Sequence, residues 1–216
     1  MRRLGALVAA ALAAGTLVVG PVTAAGAQEA PPPGAPDLAF VGDSIPFEAL
    51  FHYDKNMDRD RVTLWNEVGL GFKVRTVLPR IRQHFRQGDV PDIFLAFIGT
   101  SSSETDPPSQ WRTELRELLD LVSPRVDCVR VFEIDDEFTG FYKLHDKNAR
   151  VFNRITHQLV ARYDNAEWFH YDVWAGLAGP SLERRDILHH NVFGRVKIAE
   201  LMRDVVNGCD PNLTSQ

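Results

Sequence analysis

Two short clusters near opposite ends of the chain carry the side chains able to do chemistry. At the front, Leu38-Ala39-Phe40-Val41 stops at Gly42-Asp43-Ser44 and continues into Ile45-Pro46. At the rear, Asp186 stands three residues before His189, in a stretch that runs on through His190, Asn191 and Gly194. A serine hydroxyl becomes nucleophilic only when an oriented base takes its proton, and an imidazole is oriented when a carboxylate holds its other nitrogen. Ser44, His189 and Asp186 are the right residue types for those three roles. Gly-Asp-Ser-Ile-Pro also has a plainer reading, because Asp and Ser are preferred helix caps and Pro suits a first turn.

The elements between the clusters decide whether they can meet. An apolar run that ends at Gly42 reads as a buried strand breaking into a helix over Pro46–Tyr53. Val62–Trp65 reads as a second strand, followed by the glycine-bearing loop Asn66–Gly71. Val74, Val77, Leu78, Ile81 and Phe85 recur at helical spacing and stop before Gly88. Pro91–Gly99 is apolar on both faces, as a central parallel strand should be, and leads into the polar run Thr100–Ser103. A helix is expected over Ser109–Leu121, a strand over Val126–Ile134 and a loop over Asp135–Gly140. A long helix over Asp146–Tyr163, a strand over Ala166–Asp172 and a last helix over Val192–Val206 complete the set. Alternation without repeats predicts a three-layer αβα sandwich around a mainly parallel five-stranded sheet of the flavodoxin-like kind. In such a sheet ligands bind beyond the carboxyl ends of the strands, which is where Ser44, Gly69–Gly71 and Gly99–Ser103 fall.

Composition bounds the setting. Met1-Arg2-Arg3, an apolar run from Leu4 to Val19 and Ala25-Gly26-Ala27 read as an export signal over residues 1–27, with an uncleaved anchor as the alternative. Its removal takes two arginines and no acidic residue, leaving 189 residues with 22 basic and 29 acidic side chains, a net charge of −7. Residues 28–36, with four prolines, read as a linker, residues 37–210 as one domain and 211–216 as a tail. An acidic balance without a basic cluster argues against nucleic acid as a partner. Cys128 and Cys209 form one disulfide on the exported reading, or stay as two buried thiols.

Gly42-Asp43-Ser44 near the mature start, a glycine at the end of the third strand and Asp186-x-x-His189-x-Asn191-x-x-Gly194 near the end resemble the SGNH hydrolases, also called GDSL esterases. The resemblance spans about Leu38 to Val206. It implies Ser44 as nucleophile, His189 as base and Asp186 as its orienting partner, with no cofactor and no metal. It further implies an oxyanion hole from the Ser44 N–H, a glycine N–H (Gly69, with Gly71 the alternative) and an asparagine amide. That asparagine is absent: the family's Gly-x-Asn reads Gly99-Thr100-Ser101, so Ser101 is the expected donor. The implied activity is an exported serine esterase acting on small acyl esters or acylated carbohydrate, as a monomer with no stable membrane insertion. The alternatives are a weakened or non-catalytic carbohydrate- or envelope-binding protein on the same fold, or an acyltransferase using the same triad.

Other residues have plainer roles. Asp43 reads as a turn-stabilising acceptor, Asn191 as the N-cap of the last helix and His190 as a wall of the site or a surface histidine. Trp174 reads as a core residue or as part of the substrate pocket. His52, His84, His145, His157 and His170 have no partner at a recognisable spacing. A metal site from Asp43, Asp186, His189 and His190 ranks below the serine reading, because histidine-rich metallohydrolase signatures are absent. Asn212-Leu213-Thr214 matches a glycosylation sequon by chance.

Overall fold

The computed structural model describes residues 36–56, 62–136, 143–169 and 189–209. Five parallel strands, β1 (Asp37–Gly42), β2 (Val62–Val68), β3 (Ile93–Phe97), β4 (Cys128–Phe132) and β5 (Ala166–Phe169), lie in the order β2-β1-β3-β4-β5. Among the described residues six helices connect or follow them: α1 (Ser44–Asn56), α2 (Val74–Gln87), α3 (Thr100–Thr105), α4 (Pro108–Val122), α5 (Lys143–Val160) and α6 (Val192–Asn207).

The strand order dictates the layers. The step from β1 to β2 goes one way across the sheet, and the steps from β2 through β5 go the other. Right-handed crossovers therefore put α1 on one face and α2, α4 and α5 on the opposite face. The side chains follow. Ala39, Val41, Phe94, Ala96, Val129 and Val131 pack under α2, α4 and α5. Their neighbours in sequence, Leu38, Phe40, Ile93, Leu95 and Phe97, pack under α1 and α6. This is why β1 after Asp37 and β3 read as continuous apolar runs: each of those residues is buried, on one face or the other.

Most of the expected boundaries agree within two or three residues, and Gly88 ends α2 in the left-handed conformation at φ 90°. Two expectations are corrected. The loop expected from Asn66 is instead the last three residues of β2, and Thr100–Thr105 forms the short helix α3. The fifth strand is described to Phe169, and its expected continuation to Asp172 lies outside the described residues.

Cys128 opens β4, Cys209 follows α6, and the two form a disulfide with Cα atoms 5.9 Å apart. The bond ties the last helix to the sheet across 81 residues. On the chain-entropy account such a loop is worth roughly 4–5 kcal/mol. Among the described residues no helix is long and apolar enough to cross a membrane.

Candidate active site

The order β2-β1-β3 makes β1 and β3 the neighbours from which the chain departs in opposite directions, so a crevice opens beyond their carboxyl ends. Two glycines let the backbone turn there. A Cβ on Gly42 would lie 2.2 Å from Pro46 Cγ and 2.9 Å from the Phe97 carbonyl oxygen, so only glycine fits where α1 folds back over β1. Gly99 has φ +145°, and a Cβ there would meet Ile134 and Trp111 at about 3 Å.

Asp43 joins these two turns. Its carboxylate accepts from the N–H groups of Ile45 (3.2 Å), Gly99 (3.0 Å) and Thr100 (2.9 Å). It thus caps α1 in the ordinary way and also takes the first donors of α3, 56 and 57 residues further along. The Asp43 N–H donates to the Phe97 carbonyl at 3.3 Å, closing the link between strands. Asp43 is fully buried, and burial pushes its carboxyl above the usual 3.8, against the downward pull of those N–H groups and the Thr100 hydroxyl. The turn-stabilising reading of Asp43 and the nucleophile reading of Ser44 are therefore compatible: the cap fixes the residue beside it.

Ser44 is the first residue of α1 and is 5% exposed. Its Oγ lies 3.1 Å from His189 Nε2, a hydrogen bond between residues 145 positions apart. His189 is held from behind. Asn191 Oδ1 accepts from the Gly194 N–H at 3.0 Å, making Asn191 the N-cap of α6, as its type suggested. Arg195 Nε donates to the His190 carbonyl at 3.1 Å, and its guanidinium pairs with Glu48 of α1 at 2.8 Å. The same arginine thus fixes the His189–His190 segment and locks α6 to the helix that carries Ser44. His190 is buried, which leaves the wall reading and removes the surface one. Asp186, Trp174 and His170 lie outside the described residues, as do the stretch 1–27 read as an export signal and the expected tail; of His145 only the backbone, in α5, is described.

The expected oxyanion donors divide. The Ser44 N–H, at the first position of a helix, is one of the four orphan donors every helix start presents. The Gly69 N–H donates to the Gly42 carbonyl at 3.2 Å, continuing the β1–β2 ladder. Gly71, with φ +69° on the following bend, is the glycine of that loop whose N–H is outside the ladder. Ser101 is half-buried in the first turn of α3, and its carbonyl accepts from Thr105 Oγ1 at 3.1 Å.

A charged clamp that sequence reasoning missed joins the two loops. Asp106, at the end of α3, accepts from Lys73 Nζ at 2.9 Å and from Arg75 at 2.8 and 3.1 Å; Arg75 also reaches Glu114 of α4 at 2.9 Å. Lys73 also bonds Thr105. The Arg75 guanidinium, then Lys73, draws the Asp106 carboxyl down to about 2. Lys73 and Arg75 begin α2, so the clamp sets the Gly69–Gly71 loop against the Thr100–Ser101 turn. Two of the histidines without a recognisable partner spacing also have structural partners. His84 stacks on Trp65, with ring centroids 4.3 Å apart, and lies 3.2 Å from Glu67; His157 pairs with Glu133 and stacks on Trp168. Among the described residues no group of three or more His, Cys, Asp or Glu side chains could hold a metal.

No protein-family model and no curated protein matches this sequence. Solved structures do match. LAE5, an alpha/beta hydrolase enzyme from the metagenome of Lake Arreo, superposes with a TM-score of 0.61 at 17% identity, over 81% of this chain and 95% of that one. The catalytic domain of the Streptococcus pneumoniae peptidoglycan O-acetyltransferase OatA gives 0.62 at 10% identity, over 81% and 94%. A catalytic mutant of Axe2, an acetylxylan esterase from Geobacillus stearothermophilus, gives 0.60 at 15%, over 79% and 94%. At such identities the likeness establishes architecture. The fold is the α/β sandwich around a parallel five-stranded sheet that the alternation of strands and helices implied, and these enzymes share it.

Proposed function

We propose that the protein is an exported serine esterase that cleaves small acyl esters. The observation that carries this reading is the 3.1 Å approach of His189 Nε2 to Ser44 Oγ, at the strand ends where this fold binds ligands. Ser44 Oγ attacks the ester carbonyl and its proton passes to His189 Nε2. The tetrahedral oxyanion is met by the Ser44 N–H, with the Gly71 N–H and the Ser101 hydroxyl completing the hole. His189 then returns its proton to the departing alcohol, and a water, deprotonated by the same nitrogen, releases the acid from Ser44. Asp186 is assigned to the remaining imidazole nitrogen on its spacing from His189. A hydroxyl in place of the amide of an asparagine reaches less far, and loss of one such donor typically costs roughly 10²–10³ in turnover, so a slow enzyme is expected.

Export is supported by the sequence of residues 1–27 and by the disulfide, a bond kept in oxidising compartments. The likeness to the OatA domain supports a second reading, acyl transfer, in which the acyl-enzyme passes its group to a sugar hydroxyl in place of water. Purified protein should hydrolyse p-nitrophenyl acetate and Ser44→Ala should not; equal rates for the two would end the proposal. Product analysis with an added sugar acceptor separates hydrolysis from transfer.

A further inference from the structure

The short helix α3 cannot hold itself. Its six residues fall well short of a helix that is stable alone, and its Thr and Ser residues have little helical preference. Gly99 before it supplies no side-chain cap. Its position is therefore set from outside, at three places. Asp43 accepts from the N–H groups of Gly99 and Thr100 at 3.0 and 2.9 Å. Asn148 Nδ2 of α5 donates to the Ser103 carbonyl at 3.1 Å, and the clamp of Lys73 and Arg75 on Asp106 takes the far end. Thr100, Ser102 and Ser103 are buried, and Ser101 is the member of that run left half-buried.

The clamp reaches Ser101 through a chain of bonds. Lys73 Nζ donates to Thr105 Oγ1 and, at 2.9 Å, to Asp106 Oδ1; Thr105 Oγ1 donates in turn to the Ser101 carbonyl at 3.1 Å. On its other side Lys73 follows Phe72, whose N–H donates to the Gly69 carbonyl at 3.2 Å. The Gly69 N–H donates to the Gly42 carbonyl, also at 3.2 Å. With the bonds from Gly99 and Thr100 to Asp43, these make a closed circuit. It leaves Gly42, passes the Gly69–Gly71 loop, Lys73, Thr105 and Ser101, and returns to Asp43, the residue before Ser44.

Holding α2 in place does not need this tie. Val74, Val77, Leu78 and Ile81 of α2 are buried, and Arg82 pairs with Glu117 of α4. The Lys73 and Asp106 side chains are 15% and 8% exposed. A pair so withdrawn from water gains little net stability over apolar packing, but it fixes geometry. What it alone joins is the start of α2 and the end of α3. We infer that Lys73 and Asp106 are positioning residues of the site: they fix the Ser101 turn against the Gly69–Gly71 loop and so set turnover, through the oxyanion hole, more than substrate affinity. This rests on the esterase reading and deepens it. A hydroxyl reaches less far than an asparagine amide, so its placement tolerates less error. A misplacement of about 1 Å, even from a change far from the chemistry, costs up to about a hundredfold.

The test measures kcat and KM for p-nitrophenyl acetate in the unaltered protein and in four variants. Asp106→Asn and Lys73→Met should each lower kcat by about tenfold or more, with KM within about twofold of the parent. Lys73→Arg, which keeps the charge and the donors, should return kcat to within about threefold of the parent. Arg82→Met, which cuts an α2–α4 pair outside the circuit, should change neither constant. In a Ser101→Ala background the cost of Asp106→Asn should shrink by about threefold or more, because the two act on one donor. Unchanged kcat in both clamp variants, a loss confined to KM, or a cost as large without the Ser101 hydroxyl as with it would overturn the inference; parent activity that needs Ser44 would leave the esterase reading standing. Equal rates for the parent and Ser44→Ala would instead remove the esterase reading, and amide exchange then decides whether the clamp positions α3. The bonded amides of Phe72 and Ser103 should exchange at least about tenfold faster in Asp106→Asn, with those of β1 unchanged; equal rates in parent and variant would overturn the inference.

Discussion

The two halves of the candidate site are held by different physics. Ser44 stands on a turn built into the sheet: β1 enters it, Asp43 locks it to β3 through its own N–H and to α3 through the N–H groups of Gly99 and Thr100, and Gly42 and Gly99 let the backbones close. His189 arrives on the approach to a helix, and that helix is tied down at both ends, by Asn191 and the Arg195–Glu48 pair at the start and by the disulfide at the finish. The front half is therefore rigid by burial, and the rear half is rigid by tethering. Tethers can be cut one at a time without destroying the core, so the contrast can be tested.

The largest effect is expected from the long tether. Replacing Cys128 and Cys209 by Ser should lower stability by roughly 4–5 kcal/mol in urea unfolding. Hydrogen exchange should quicken in α6 more than in β1 and the start of α1; equal acceleration in both would erase the distinction between the halves. Next is the front lock. Asp43→Ala leaves three buried N–H groups without an acceptor and should cost about 3 kcal/mol, with esterase activity falling as the Ser44 turn relaxes. A loss under about 1 kcal/mol would show that the turn holds itself.

These two predictions also mark what was legible in the chain. β1 and β3 could be read because both faces of each strand are buried, so apolar residues run unbroken. Asn191 could be read as a cap because capping is local. The end of β2 could not: β2 is an edge strand, and its Glu67 is suited to its place only by Arg80 and His84, which come a helix later. Nor could α3, whose Thr and Ser residues have little helical preference and whose first donors are taken by a carboxylate more than fifty residues upstream. The bond made by the Gly69 N–H was hidden for a similar reason. Distance to the following helix favours Gly69 over Gly71, and the carbonyl that engages Gly69 belongs to another strand.

Smaller effects sharpen the contrast further. Asn191→Ala removes a single cap and should cost about 1 kcal/mol, with activity falling more than stability because the loss sits two residues from His189. The Asp106 clamp predicts a pH signature. Its carboxyl is drawn from 3.8 to about 2 in the folded protein, so its contribution is complete above the unfolded value and disappears as pH falls through the folded one. Asp106→Asn should thus be less stable than the parent at neutral pH, and the gap should close between about pH 4 and pH 2. A gap constant over that range would mean that the carboxylate charge does not hold the two loops together.

The account depends most on an alcohol and an imidazole, 145 residues apart in the chain, acting as one unit. The direct measurement is the rate at which a fluorophosphonate labels the protein, with the modified peptide located by mass spectrometry. Labelling should fall on Ser44, and His189→Ala should slow it by about a thousandfold or more in a protein that still unfolds cooperatively. Labelling elsewhere, or at Ser44 with a rate indifferent to His189, would contradict the account.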